Sequence, residues 1–288
     1  MTASPARWSI RSVAVLAVFT TCVTWPQVVV PQSTAGSPQK FRINTLIERL
    51  EQGKTALSPA DWTFIDLEHG LYLIDQVAAR FAEFDRQRKP NGQLPTAPVI
   101  RLPMYGFEGS AWVAKQLLDT GALTICFPQV DSKDQALRAV RSMRYPPQKG
   151  SSAPVNPVGL RGWAPGRAIK FWGVTQPEYL ERADLWPLNP KGELLAMIMI
   201  ESPEGVKNIN DILDVPGVGA IFIGPSDLGM NLGVGLPKTP LAPEEDAAIH
   251  TVLKACLAKK VACGIAATGW ATPAYRQKLL DEGFRFML

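Results

Sequence analysis

The chain has 288 residues, of which 46% are hydrophobic, with a mean hydropathy of +0.01 and a formal net charge of +4. This length suits one barrel or two small domains, and the hydrophobic fraction is sufficient for a sizeable core. So small a net charge gives no electrostatic argument for a nucleic-acid-binding protein.

The first 36 residues have the composition of a signal peptide. Arg7 and Arg11 precede an apolar stretch at residues 13–25, and small residues follow at 33–36. The stretch is shorter than the roughly 20 residues that span a bilayer, so it predicts a secreted or periplasmic protein whose main domain covers residues 37–288. An uncleaved membrane anchor is the alternative, and a lipid-modified Cys22 is a weaker one.

Short apolar runs then alternate with amphipathic segments. A helical spacing at residues 41–53 comes first. The apolar runs, each a predicted strand, lie at residues 62–67, 98–102, 123–130, 195–200, 220–223, 261–266 and 284–288. Predicted helices lie at residues 73–88, 110–120, 133–144, 205–213, 243–260 and 273–282. Buried strands that alternate with helices indicate a parallel sheet with both faces covered.

Seven strands with intervening helices predict an α/β fold of the (β/α)8 TIM-barrel type, with a doubly wound open sheet as the competitor. No glycine-rich phosphate loop follows the first run, which disfavours the nucleotide-binding form of that sheet. Residues 145–191 interrupt the alternation and are predicted to form a long loop. Cys126, Cys256 and Cys263 lack CxxC spacing, so buried free thiols are favoured over a zinc site, while a Cys256–Cys263 disulfide remains open.

Charged residues directly follow several of the predicted strands, and four of them stand out: His69, Arg101, Glu201 and Asp227. The carboxyl ends of barrel strands form one rim, so these side chains are expected to converge there. Two carboxylates from different strands suit a hard divalent cation, and an arginine suits a substrate carboxylate.

Each of these residues also has a structural interpretation. Asp227 could cap the following helix, and Glu201 could be the buried partner of an arginine. Arg101 could form an ion pair with a rim acid. His69 is placed for a general base, and the sequence equally allows a structural, hydrogen-bonded histidine.

Several stretches resemble the metal-dependent 4-hydroxy-2-oxoheptanedioate aldolases of the HpcH/HpaI aldolase/citrate lyase family, and they occur in family order across about residues 43–287. The matching stretches are DWTFIDLEHG at 61–70, PVIRLP at 98–103, KQLLDTGALTICFPQV at 115–130, RYPP at 144–147 with RG at 161–162, IES at 200–202 and ILDVPGVGAIFIGPSDL at 212–228. The resemblance implies a lyase that interconverts a 4-hydroxy-2-oxo acid with pyruvate and an aldehyde. It also implies a homo-oligomer whose substrate is a small 2-oxo acid.

The resemblance further implies a divalent cation, Mg²⁺ first and Mn²⁺ or Co²⁺ as alternatives, held by Glu201 and Asp227. Arg101 would then bind the pyruvate carboxylate and its enolate. His69 would be the catalytic base, and Asp119 the acid that pairs with it, often across a subunit contact. The backbone of the turn formed by Pro225, Ser226 and Asp227 would receive the substrate carboxylate.

The chain departs from the family pattern at three places. Met199 stands where members usually carry glutamine, and both the first barrel strand and the last helix are expected to be missing. Two further functions stay open. One is an acyl-CoA lyase, for which Arg161, Arg167 and Lys170 would supply a basic face. The other is a non-catalytic protein that binds 2-oxo acids.

Overall fold

In the computed structural model, which describes residues 41–104, 109 and 111–288, eight parallel strands form one sheet in the order β1-β8-β7-β6-β5-β4-β3-β2. They are β1 (Ala56–Leu57), β2 (Trp62–Asp66), β3 (Ala97–Arg101), β4 (Thr124–Phe127), β5 (Leu195–Ile200), β6 (Val218–Ile223), β7 (Ala262–Ile265) and β8 (Phe286–Met287). The sheet curls into a nearly closed barrel, and the predicted (β/α)8 fold is confirmed.

Helices cover the outside of the barrel between successive strands. They are α1 (Thr45–Glu51), α2 (Ile74–Arg86), α3 (Ala111–Thr120), α4 (Lys133–Met143), α5 (Gly166–Trp172), α6 (Gln176–Arg182), α7 (Pro203–Lys207), α8 (Ile209–Leu213), α9 (Pro225–Leu232), α10 (Pro243–Lys259) and α11 (Pro273–Glu282). None of the helices in this part of the chain is long and apolar enough to cross a membrane. The predicted signal peptide lies outside the described residues.

The first strand, which the sequence seemed to lack, is present but only two residues long. It pairs with β8, and a four-residue turn joins it to β2 without a helix between them. At this seam the Trp62 indole N–H donates to the Ala56 carbonyl at 3.3 Å. A strand of two residues carries no periodic signal, which is why its pattern was not recognised. The last element of the described chain is β8, which ends at Met287, and the expected absence of a last helix stays a prediction.

The barrel has an inner core that is separate from the shell between strands and helices. Trp62, Phe222 and Phe286 meet inside it with ring centroids 5.8–6.1 Å apart. Leu46 and Ile47 of α1 belong to the same buried cluster, so this helix covers one mouth of the barrel. The opposite mouth is left for the charged residues that follow the strands.

Residues 145–191 are not one long loop, because they contain α5 and α6. Thr175 begins α6 with a capping box, and buried Trp172 donates to the Gly121 carbonyl at 2.9 Å. Each helix is only seven residues long, α5 follows Pro165 and α6 has Pro177 in its first turn, so the helical period was not visible in the sequence. Among the described residues Cys126, Cys256 and Cys263 are buried free thiols, as predicted.

Glu245 in the first turn of α10 is a buried carboxylate whose Oε1 has no hydrogen-bond partner among the described residues. Burial, with the neighbouring charge of Asp246, raises its pKa to about 7. The folded state therefore holds this proton more tightly than the unfolded chain does. Stability should fall as pH rises from about 4.5 through 7, by up to about 2 kcal/mol once screening of the carboxylate by nearby solvent is included.

We expect Glu245→Gln to leave stability nearly unchanged at pH 5 and to raise the free energy of unfolding by about 1–2 kcal/mol at pH 8. Urea denaturation at both pH values measures this difference. Glu244→Gln, which changes the exposed neighbour, is the matched control. An equal effect of Glu245→Gln at both pH values would contradict a raised pKa of Glu245.

Candidate active site

The residues predicted to form the rim lie at the carboxyl ends of adjacent strands. Asp66 and Arg101 are the last residues of β2 and β3, which are paired in register at these two positions. Glu201 directly follows β5, and Asp227 lies in the first turn of α9, just after β6. Since β5 and β6 are neighbours, the two predicted cation ligands emerge side by side.

Arg101 is buried and held by two acids. Its Nε and Nη2 donate to the two oxygens of Asp66, at 2.9 and 2.6 Å. Its Nη1 lies 2.8 Å from Oε2 of Glu68 and 3.9 Å from the sulfur of Met199. The pairing with Asp66 is a two-pronged ion pair, which fixes the plane of the guanidinium. The structural interpretation of Arg101 as the partner of a rim acid is thus correct. The ion pair with Asp66 also orients the remaining N–H groups of the guanidinium.

Glu201 is 1% exposed, and only one of its two carboxylate oxygens has a hydrogen-bond partner among the described residues. Its Oε1 accepts a hydrogen bond from the backbone N–H of Gln129 at 2.7 Å, and Asn231 donates to its backbone carbonyl at 2.9 Å. Its Oε2 is buried without a hydrogen-bond partner among the described residues. No arginine pairs directly with it there, so the interpretation of Glu201 as a buried arginine partner is wrong for the part of the chain the structure describes.

Glu201 lies near two other acidic side chains, those of Glu68 and Asp227, which disfavour its negative charge. Burial, followed by the charge of Glu68 and by that of Asp227, raises the pKa of Glu201 to about 8, although the Gln129 N–H and Arg101 act in the other direction. An orphaned carboxylate oxygen in a cluster of acids is costly unless a cation compensates it. The donor set, oxygen only, suits a hard divalent ion such as Mg²⁺.

Gly224 leaves the space into which this carboxylate fits. A Cβ at position 224 would lie 2.6 Å from Glu201 Oε2 and 2.6 Å from Met199 Cε. Both contacts are far inside van der Waals range, so any larger residue would push the two side chains away. The absence of a side chain at Gly224 thus leaves room for Glu201 Oε2, the oxygen that would bind a cation.

Asp227 does not cap α9, because the N-cap is Gly224 and no side-chain capping bond is present. Its carboxylate is partly buried, and its charge acts on both Glu68 and Glu201. The described residues hold no group of three or more acidic, histidine or cysteine side chains arranged for a metal. Two carboxylates are fewer ligands than a hard divalent cation takes, so a cation held by Glu201 and Asp227 would need water or substrate to complete its coordination.

Within the described part of the chain, His69 and Asp119 have other contacts. The His69 side chain is exposed, and its backbone N–H donates to Asp66 Oδ1 at 3.4 Å. Asp119, on α3, accepts from Arg161 Nη2 at 3.0 Å. The pairing of the two side chains, which the resemblance implies often across a subunit contact, stays a prediction.

Sequence reasoning missed two residues at the site. Gln129 has a left-handed backbone, with φ of 54°, and this conformation turns its N–H toward Glu201. Such a conformation is uncommon for a residue other than glycine and carries no signal in the sequence. Glu68 was noted only as part of a charged strand end, although its contact with Arg101 places it in the site.

Comparison with known proteins shows the family to which the chain belongs. The family model of HpcH/HpaI aldolase/citrate lyase matches residues 50–287. The chain belongs to this family. It is 31% identical to a hydroxypyruvate/pyruvate aldolase of Paraburkholderia phytofirmans, over 79% of this chain and 76% of the relative. It is 32% identical to a 2-keto-3-deoxy-L-rhamnonate aldolase of Salmonella gallinarum, over 81% of this chain and 74% of the relative.

A solved structure of an HpcH/HpaI aldolase/citrate lyase family protein from Burkholderia cenocepacia matches with a TM-score of 0.69. It is 29% identical and covers 85% of this chain and 91% of its own. The family relationship supports an enzyme of the aldolase type, a lyase acting on a small molecule. The predicted family is confirmed.

Met199 places an apolar thioether beside Arg101, with its sulfur 3.9 Å from Nη1. A thioether is a weak acceptor and provides no donor, whereas a glutamine amide provides two N–H groups. We expect Met199→Gln to tighten the binding of oxalate, a 2-oxo-acid mimic, by several-fold up to about tenfold in the presence of Mn²⁺. Isothermal titration calorimetry measures this, with Met230→Gln, at an exposed methionine, as control. Unchanged or weaker oxalate binding would show that Met199 does not limit the site.

Proposed function

We propose that this protein is a divalent-metal-dependent class II aldolase that cleaves or forms the carbon–carbon bond of a 4-hydroxy-2-oxo acid, giving pyruvate and an aldehyde. The observation that carries the proposal is the orphaned, buried Glu201 oxygen, whose carboxylate feels the charges of Asp227 and of Arg101, the arginine that Asp66 holds in one plane. Glu201 and Asp227 would hold the cation, for which Mg²⁺ is the first choice and Mn²⁺ or Co²⁺ the alternatives. When bound, it would act as a Lewis acid on the substrate's oxygens.

The protein's own residues account for the rest of the chemistry. Arg101 is oriented before any substrate arrives, so its free N–H groups can bind the carboxylate or the developing enolate without reorganisation. The turn formed by Pro225, Ser226 and Asp227 would receive the substrate carboxylate through the backbone N–H groups of Ser226 and Asp227, since proline has no N–H to donate. His69 would take or return the proton of the aldol hydroxyl or of the pyruvate methyl group.

Pyruvate release from a panel of 4-hydroxy-2-oxo acids tests the proposal. We expect release with Mg²⁺ or Mn²⁺, loss of release with EDTA, and recovery when the metal is returned. Binding of pyruvate or oxalate without any turnover would favour a non-catalytic 2-oxo-acid-binding protein instead. Activity that survives complete metal removal would sink the proposal.

The acyl-CoA lyase alternative finds less support. Arg161, one of the three residues expected to form a basic face for the nucleotide, is 2% exposed and bound to Asp119 and Tyr179. It is therefore not available to a phosphate at the surface. Strict dependence of turnover on a CoA ester would reverse this preference.

We also propose that the active form is a homo-oligomer, in which His69 of one copy would pair with Asp119 of another. Secretion or export to the periplasm, based on residues 1–36, stays part of the same proposal. Sedimentation of the purified protein and its location after expression test these two points.

A further inference from the structure

Asn231, in the last turn of α9, joins the two elements that carry the proposed cation ligands. Its side-chain amide donates to the backbone carbonyl of Glu201 at 2.9 Å, while Asp227 lies in the first turn of the same helix. The pairing of β5 with β6 does not by itself fix the spacing of the two acids, because the paired residues end at Ile200 and Ile223. A bond between α9 and residue 201 acts on this spacing directly.

The position of Asn231 along the helix determines which face of α9 turns toward Glu201. Asn231 follows Asp227 by four residues, so both side chains lie on one face of the helix, one turn apart. The bond to the residue-201 carbonyl holds that face, and Asp227 with it, on the side of Glu201. The helix is also joined at its beginning, where the Gly224 N–H donates to the Ile200 carbonyl at 3.1 Å. Bonds to two consecutive residues oppose both sliding and rotation of α9.

A fixed spacing of two carboxylates affects cations of different size unequally. The Glu201 side chain is held as well, because its Oε1 accepts from the Gln129 N–H at 2.7 Å. Mg²⁺ requires a nearly ideal octahedron of oxygens at about 2.0–2.1 Å, whereas Ca²⁺ accepts oxygens at about 2.3–2.6 Å in a flexible arrangement. Loosening the spacing therefore costs more binding free energy for Mg²⁺ than for Ca²⁺.

We infer that Asn231 is a positioning residue that fixes Asp227 relative to Glu201, so that the pair favours a small cation such as Mg²⁺ over Ca²⁺. This inference rests on the proposed metal-dependent function and assigns the selectivity of its cation site to a residue outside the ligand pair. A purely structural hydrogen bond predicts a different result. Asn231 is exposed, so such a bond contributes only about 1 kcal/mol to folding, and its loss would change the binding of all cations alike.

Competition of Mg²⁺ and of Ca²⁺ against Mn²⁺, followed by electron paramagnetic resonance of free Mn²⁺, tests the inference without any turnover. Asn231→Leu keeps the approximate size of the side chain but removes the donor. We expect it to weaken Mg²⁺ binding by about tenfold and Ca²⁺ binding by less than about threefold, so that the ratio of the two affinities falls. Asn231→Gln keeps an amide donor on a longer side chain and should lower this ratio less.

Met230→Leu is the matched control, since Met230 is the exposed neighbour on the same helix, and it should keep the wild-type ratio. Leucine favours helices more than asparagine does, so the unfolding free energy of Asn231→Leu should stay within about 1 kcal/mol of wild type. Equal losses for Mg²⁺ and Ca²⁺, no loss for either, or a wild type that prefers Ca²⁺ would overturn the inference and leave the aldolase proposal intact. If the wild type binds none of the three cations, the proposed function fails and the inference fails with it.

Discussion

Glu201→Gln is expected to lower the rate of pyruvate release by about 10³-fold and to weaken Mn²⁺ binding by at least about 100-fold. The amide keeps the size of the side chain and can still accept the hydrogen bond from the Gln129 N–H, which lies 2.7 Å from Oε1. What it loses is the negative charge at the orphaned Oε2, the atom best placed to bind a cation. The substitution therefore isolates cation binding from packing.

Metal titration followed by electron paramagnetic resonance of free Mn²⁺ measures the first effect, and steady-state pyruvate release the second. Glu204→Gln, three residues later on exposed α7, is the matched control and should behave as wild type. Thermal unfolding should show Glu201→Gln at least as stable as wild type without metal, because a buried, poorly compensated charge is removed. Retained activity with intact metal binding would show that Glu201 is not a ligand.

Gly224→Ala is expected to lower activity by about 100-fold although it changes no charged group. The added Cβ would sit 2.6 Å from Glu201 Oε2, so the carboxylate must leave the position in which it faces Asp227. The backbone at Gly224 has φ of −102°, which alanine adopts freely, so the effect is steric rather than conformational. A displacement of about 1 Å at a catalytic group commonly costs this much in rate.

Gly166→Ala provides the control, because nothing lies within 4 Å of a Cβ at that position and its backbone is ordinary. We expect Gly166→Ala to match wild type in rate, in metal affinity and in thermal stability. For Gly224→Ala we expect a cost of about 1–3 kcal/mol in unfolding free energy, with the fold retained. Wild-type metal affinity in Gly224→Ala would mean that Glu201 Oε2 does not point at the cation.

The outer helices and most strands of the barrel could be predicted because their signals are local. Burial on both faces makes strands such as β5 and β6 continuously apolar, and the helix that covers them shows a 3.6-residue period. The short elements could not be predicted in this way. A two-residue β1 is held by its pairing with β8, and α5 and α6 are held by burial of residues such as Trp172. Their stability comes from contacts between distant parts of the chain.

Which charged residues stand at the carboxyl ends of the strands follows from residue order alone, since the residue after a strand necessarily lies at the rim. How these residues are used depends on the folded barrel. In the folded barrel the Gln129 N–H donates to Glu201, and Asp66 and Glu68 form ion pairs with Arg101. Asp119 pairs with Arg161. These outcomes depend on distances between side chains of different strands and loops, which closure of the barrel sets and residue spacing along the chain does not encode.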